Sequence, residues 1–251
     1  MIKTKPIVIA NWKMKLGLAE SVALAKAVRR IGSKDIELVI CPSFISLTEA
    51  AKVLKGSQIK LGAQDCFWEA EGAFTGEVSA GYLKEVGGEF VILGHSERRQ
   101  YLGETDGMVH RKVKMALMAN LIPILCVGET FDQRQQGATD YVLIQQVTKA
   151  LEGAPVGLEQ RLIIAYEPVW VIGSGQAINP EQAATAHQVI RQTLFDLFPA
   201  SLVKSNFAVI YGGSVDGANV ASFTGLDNTA GVLVGGASLK IDKFTAIIKN
   251  I

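Results

Sequence analysis

Eight apolar runs of four to six residues recur along this chain, and they constrain its fold more than any other feature. They are Ile7–Ala10, Leu38–Cys41, Ile59–Ala63, Phe90–Leu93, Ile122–Val127, Leu162–Tyr166, Ala208–Tyr211 and Gly231–Val234. Each is nearly continuous in hydrophobicity, the pattern of a strand covered on both faces in a parallel sheet. Segments of helical period lie between most of them. One is Leu18–Ile31, where Val22, Leu24, Ala25, Val28 and Ile31 form a stripe. Another is 179–198, with Asn179 as N-cap and Pro180 at the first helical position, and a third is 242–248. Eight strands alternating with helices in 251 residues predict an α/β fold, a closed (β/α)8 barrel ringed by helices. No linker or composition shift divides the chain, so residues 1–251 read as one barrel domain.

Composition removes several classes of function. Charged residues interrupt every apolar run long before about 18 positions, so no membrane span is expected. Met1–Lys5 lacks the apolar stretch of a signal peptide. Twenty-five Lys plus Arg against 24 Asp plus Glu leave a net charge of +1, and no basic stripe suggests nucleic acid. Cys41, Cys66 and Cys126 are odd in number, far apart and set in apolar runs. They fit buried thiols in a reducing cytoplasm better than disulfides or a zinc site. No His, Cys and carboxylate spacing suggests a metal. A P-loop, a dinucleotide fingerprint and a nucleophile elbow are all absent.

Chemistry in a barrel gathers at the C-terminal ends of its strands. Glu167 ends the sixth run, and a carboxylate there is costly unless it has a task or a partner. It is followed by Pro168, by the apolar Val169-Trp170-Val171-Ile172, and by Gly173-Ser174-Gly175. An apolar loop stiffened at one end and loosened at the other reads as a lid with a general base at its root. After the first run, Asn11 and Lys13 aim an amide and a cation at the barrel mouth. After the fourth, Ser96-Glu97 starts a helix and places His95 at its positive end, a field that favours neutral imidazole. His110 and His187 read as structural, His187 as half-buried on a helix. The glycine pairs Gly212-Gly213, before Ser214, and Gly235-Gly236 follow the seventh and eighth runs, where barrels build phosphate sites from backbone N–H groups. Between the third and fourth runs, Phe74 lies in a projecting loop. It is buried either by a partner or against its own barrel.

Taken together, these segments resemble the triosephosphate isomerase family. The resemblance spans essentially the whole chain: Asn-Trp-Lys at 11–13, Gly-Ala-Phe-Thr-Gly-Glu at 72–77, Gly-His-Ser-Glu-Arg-Arg at 94–99, Ala-Tyr-Glu-Pro-Val-Trp at 165–170, Tyr-Gly-Gly-Ser at 211–214 and Leu-Val-Gly-Gly-Ala-Ser at 233–238. It implies cofactor-free interconversion of dihydroxyacetone phosphate and glyceraldehyde 3-phosphate through an enediolate. Glu167 would be the base, His95 and Lys13 the electrophiles with Asn11 assisting, and Glu97 would orient Lys13. Gly173, Ser214, Gly235 and Gly236 would grip the phosphate while residues 168–178 close as the lid. The resemblance also implies a homodimer in which the loop carrying Phe74 and Thr75 reaches the neighbouring subunit. Asn228 stands where the family often has an acid paired with the arginine matching Arg191, which leaves Asp227 as the substitute partner. The rival reading is a non-catalytic phosphosugar-binding barrel, favoured by loss of Lys13, His95 or Glu167; all three are present.

Overall fold

The structure, a computed structural model, describes residues 5–32, 34–173 and 176–251. Its eight strands are β1 Ile7–Asn11, β2 Glu37–Cys41, β3 Lys60–Ala63, β4 Phe90–Leu93, β5 Ile122–Val127, β6 Leu162–Tyr166, β7 Phe207–Tyr211 and β8 Gly231–Val234. All neighbours pair in parallel, and β8 returns to β1 with Ile7 opposite Gly231, so the sheet closes. The eight apolar runs predict every strand, with ends that move by one residue at most.

Both faces of the strands are buried, which is why the runs are continuous rather than alternating. Ile7, Ile9, Val39, Cys41, Phe90, Ile92, Ile124, Cys126, Ile163 and Ile210 belong to a core distinct from the larger one. Their neighbours one position along, such as Val8, Leu38, Val91, Leu125, Ile164 and Val209, pack with the helices. Successive side chains on a strand point to opposite faces, so the first set fills the barrel and the second seals it outside. In β3 the interior position is Gly62, where a Cβ would sit 2.5 Å from the Cys41 sulfur. A side chain there would displace its neighbours. Cys41, Cys66 and Cys126 are buried free thiols, all pushed up chiefly by burial, and stay protonated at neutral pH.

The outer helices start where the sequence offers caps. Leu18–Ile31 begins with the Gly17 N–H donating to Glu20 (2.9 Å), and Asp106–Met118 with Thr105 accepting from the Met108 N–H. Pro180–Leu197 starts at Asn179, whose side chain accepts from the Glu181 N–H at 2.9 Å. Among the described residues, no helix is long and apolar enough to cross a membrane.

Three expectations are refined or overturned. His187 is fully buried rather than half-buried: Tyr166 meets it edge-on and Thr229 Oγ1 lies 2.8 Å from Nδ1. Arg191 makes no ion pair with Asp227; its guanidinium carbon lies 5.6 Å from the Phe195 ring centre. The backbone through Asn228 turns into the left-handed region (φ 68°). Phe74 packs within its own chain on Phe67, with ring centres 4.7 Å apart, and remains 43% exposed.

Candidate functional site

The strand ends assemble the site. Asn11 closes β1, is buried, and accepts the Lys13 N–H on Oδ1 (3.0 Å). That bond holds Lys13 in a left-handed conformation (φ 52°), uncommon for a lysine. Gln64, just after β3, donates to the carbonyls of both Lys13 and Cys41 at 2.9 Å and fixes the turn from the other side. The Lys13 ammonium then donates to Glu97 Oε1 at 2.6 Å. A cation is therefore held at the mouth by backbone geometry and by a carboxylate.

His95 follows β4 and caps the helix Ser96–Leu102. Its Nδ1 accepts the Glu97 N–H (3.2 Å), which requires a lone pair on Nδ1 and so assigns the ring proton to Nε2. Nε2 lies 3.1 Å from Glu167 Oε1. Close as that contact is, it lacks hydrogen-bond alignment, and Oε1 has no hydrogen-bond partner. The other oxygen, Oε2, accepts from the Ser96 N–H at 2.9 Å. Glu167 is thus a 1% exposed carboxylate with Oε2 held by a backbone N–H, Oε1 without an aligned hydrogen bond, and the buried Cys126 thiol beside the carboxylate.

The root of the apolar loop is docked rather than exposed. Val169–Val171 forms a 3₁₀ turn, Val171 is buried, and the Trp170 indole donates to Glu129 at 3.0 Å. Glu129 is fully buried, accepts from the Tyr166 hydroxyl at 3.2 Å and lies 3.7 Å from Arg134, which also stacks on Trp170. Burial, and after it the Glu129 charge, raises the Tyr166 phenol so that it stays a donor. Sequence reasoning missed Glu129 and Gln64. Gln64 follows β3 directly and Glu129 follows β5 after Gly128, close to the signal that singled out Asn11 and Glu167. Ser174 and Gly175 lie outside the described residues.

A cavity of about 450 Å³ joins these parts, lined by Asn11, Lys13, His95 and Glu167 at one side and by Gly173, Gly212–Ser214 and Gly235-Gly236 at the other. Lys240 and Lys243 also line it, two cations the sequence reading did not single out. Gly235 lets the lysine pass: a Cβ there would lie 3.2 Å from Lys13 Cε. Gly236 opens a 3₁₀ turn, Gly236–Leu239. Asn11, Lys13, His95, Glu167, Gly173, Ser214, Gly235 and Gly236 therefore meet at one cavity; Glu97 does not line it and touches it through Lys13, whereas Phe74 and Thr75 lie on the separate β3–β4 connection. Among the described residues, no group of three or more His, Cys, Asp or Glu could hold a metal.

Known proteins match this chain over nearly its whole length. The family model described as triosephosphate isomerase matches residues 6–251. The chain belongs to the triosephosphate isomerase family. It is 42% identical over 247 residues to a triosephosphate isomerase of Endomicrobium trichonymphae, covering 98% of each chain. It is 43% identical over 248 residues to one of Dictyoglomus thermophilum, covering 98% of this chain and 99% of the other. The crystal structure of triosephosphate isomerase from Bartonella henselae superposes with a TM-score of 0.89 at 35% identity, covering 98% of this chain and 99% of the other. Such likeness across nearly the full length gives that family's fold to this chain.

Proposed function

We propose that Glu167, His95, Lys13 and Asn11 carry the chemistry by which this chain interconverts dihydroxyacetone phosphate and glyceraldehyde 3-phosphate. The carrying observation is the free Oε1 of a buried Glu167 beside His95 Nε2. Glu167 takes a proton from the carbon next to the carbonyl and returns it to the adjacent carbon. The developing enediolate oxygen meets the His95 Nε2–H, and the Lys13 ammonium adds positive charge on its other side, which stabilises charge where it forms. Asn11 and Glu97 position Lys13. The phosphate sits against Gly173, Ser214, Gly235 and Gly236, with backbone N–H groups and the Ser214 hydroxyl as donors.

The Ser96 N–H bond is a parking place for the carboxylate. Catalysis requires Glu167 to leave it as residues 168–178 close, and the Glu129 anchor for Trp170 sets the open position of that lid. Closure excludes water from an intermediate that would otherwise eliminate phosphate. We read residues 1–251 as one domain, acting in the cytoplasm without a cofactor.

The half-exposed Phe74, the exposed Thr75 and the 94% exposed Met14 support a homodimer that covers them. A monomer fully active at high dilution would refute that assembly. The activity is tested by coupled assay with glyceraldehyde 3-phosphate, wild type beside Glu167→Gln. The expected loss in kcat is about 10³-fold or more. Equal turnover in the variant would refute Glu167 as the base, and no turnover in a folded wild type would favour the non-catalytic barrel.

A further inference from the structure

We propose that the opposite end of the barrel carries a second binding site, for a small polyanion with clustered phosphate groups. All eight strands run the same way, so the residues that precede them share one end, remote from Asn11, His95, Glu167 and Ser214. A cavity of about 760 Å³ opens there between β1, β2, β7 and β8, against about 450 Å³ at the catalytic mouth. Its size falls in the range of small-molecule sites, roughly 300–1,000 Å³.

Charge is what makes this cavity unusual. Lys5, Arg161, Arg191 and Lys204 line it, with Glu37 as the carboxylate among the lining residues. Glu37 is already engaged, accepting two hydrogen bonds from Arg161 at 2.8 Å each. Lys5 donates to the Lys34 carbonyl, which satisfies a hydrogen but leaves the charge. Lys204 and Arg191 have no carboxylate within ion-pair distance among the described residues. Asn228 lines the cavity beside them with a neutral amide.

Three cations that lack an ion-pair partner among the described residues share one concavity, where their charges repel, and the half-buried Arg191 keeps its planar set of N–H donors without an acid. A ligand bearing several anionic oxygens relieves both penalties, and a guanidinium fork flanked by lysines suits phosphate. The two cavities share no lining residue.

The test is calorimetric titration of the full-length protein with inorganic tripolyphosphate. The catalytic mouth would also attract this probe, so Gly236→Asp supplies the background: a side chain at Gly236 meets nothing within 4 Å, and a carboxylate there repels phosphate. That variant is expected to bind one tripolyphosphate per chain, and Arg191→Gln with Lys204→Gln to weaken it about tenfold or more. The same pair in the otherwise native chain should leave turnover within about twofold, since neither residue lines the catalytic cavity. Should Arg191→Gln fail to fold, Lys5→Gln with Lys204→Gln, both at exposed positions, replaces it. Absence of binding in Gly236→Asp, or unchanged affinity after the paired substitutions, would overturn the site. Citrate binding as tightly as tripolyphosphate would overturn its assignment to phosphates.

Discussion

His187 predicts how the stability of this barrel depends on pH. It is fully buried, its Nδ1 faces Thr229 Oγ1 at 2.8 Å, and its Nε2 has no hydrogen-bond partner. A second ring proton would therefore be buried without an acceptor. Burial lowers the imidazole from 6.5 to about 4. The unfolded chain, with the ordinary value, takes up the proton first as pH falls. Stability is therefore complete above the unfolded value and is lost between pH 6.5 and about 4. The full separation corresponds to about 3 kcal/mol, and linkage places about 2 kcal/mol of it between pH 7 and pH 5.

Urea unfolding of wild type and His187→Gln at pH 7 and pH 5, at one fixed protein concentration, isolates this quantity. The variant loses packing and the Thr229 contact at both pH values, so those costs cancel in the difference. All other titrating groups are common to the two proteins. The wild type is expected to lose about 2 kcal/mol more than the variant on going from pH 7 to pH 5. Equal losses would refute the reasoning, because they would mean that the buried ring accepts its proton without cost.

Two further substitutions probe the catalytic end and the charges packed beneath it. Gly212→Ala puts a Cβ 3.1 Å from Glu167 Cγ and 3.2 Å from the Tyr166 carbonyl, so it should displace the carboxylate and lower kcat about tenfold or more while thermal unfolding changes little; unchanged kcat in steady-state assay would mean that the base yields without consequence. Lys112→Met removes the buried ammonium that Asp65 binds with both oxygens, at 2.7 and 2.8 Å, and that Glu104 also contacts, leaving Arg98 as their cation. Its expected cost is about 3–5 kcal/mol, read by denaturant unfolding, and a loss below about 1 kcal/mol would contradict the pairing.

The barrel was legible because its strands are buried on both faces, which leaves a signature in consecutive residues. At one strand end that shifted, the cause lay far along the chain. Glu37 is polar yet begins β2, because Arg161, 124 positions later, neutralises it across the barrel floor. The site was legible for a related reason: Asn11, His95, Glu167 and Ser214 are polar residues set at or just beyond strand ends in apolar company. Gln64 and Glu129 carry the same local signal, but their roles become visible only through contacts with Lys13 and with Trp170.

His187 and Arg191 show the other side of that limit. Both lie on the helix Pro180–Leu197, and a helical stripe tells which face turns inward without telling what waits there. For His187 the answer is the Tyr166 ring and Thr229, which close over it completely. For Arg191 the expected acid one residue before Asn228 is out of reach, and a cavity stands in its place. The two ends of the barrel thus treat charge in opposite ways. At the catalytic end, Lys13 and Glu97 are paired, Glu167 is half held, and one oxygen is left free for a proton. At the other end, cations outnumber carboxylates in a larger space, and no proton transfer relieves an arginine. A bound anion is the counter-charge proposed for that end, as a proton taken up by Glu167 Oε1 is the step proposed for the other.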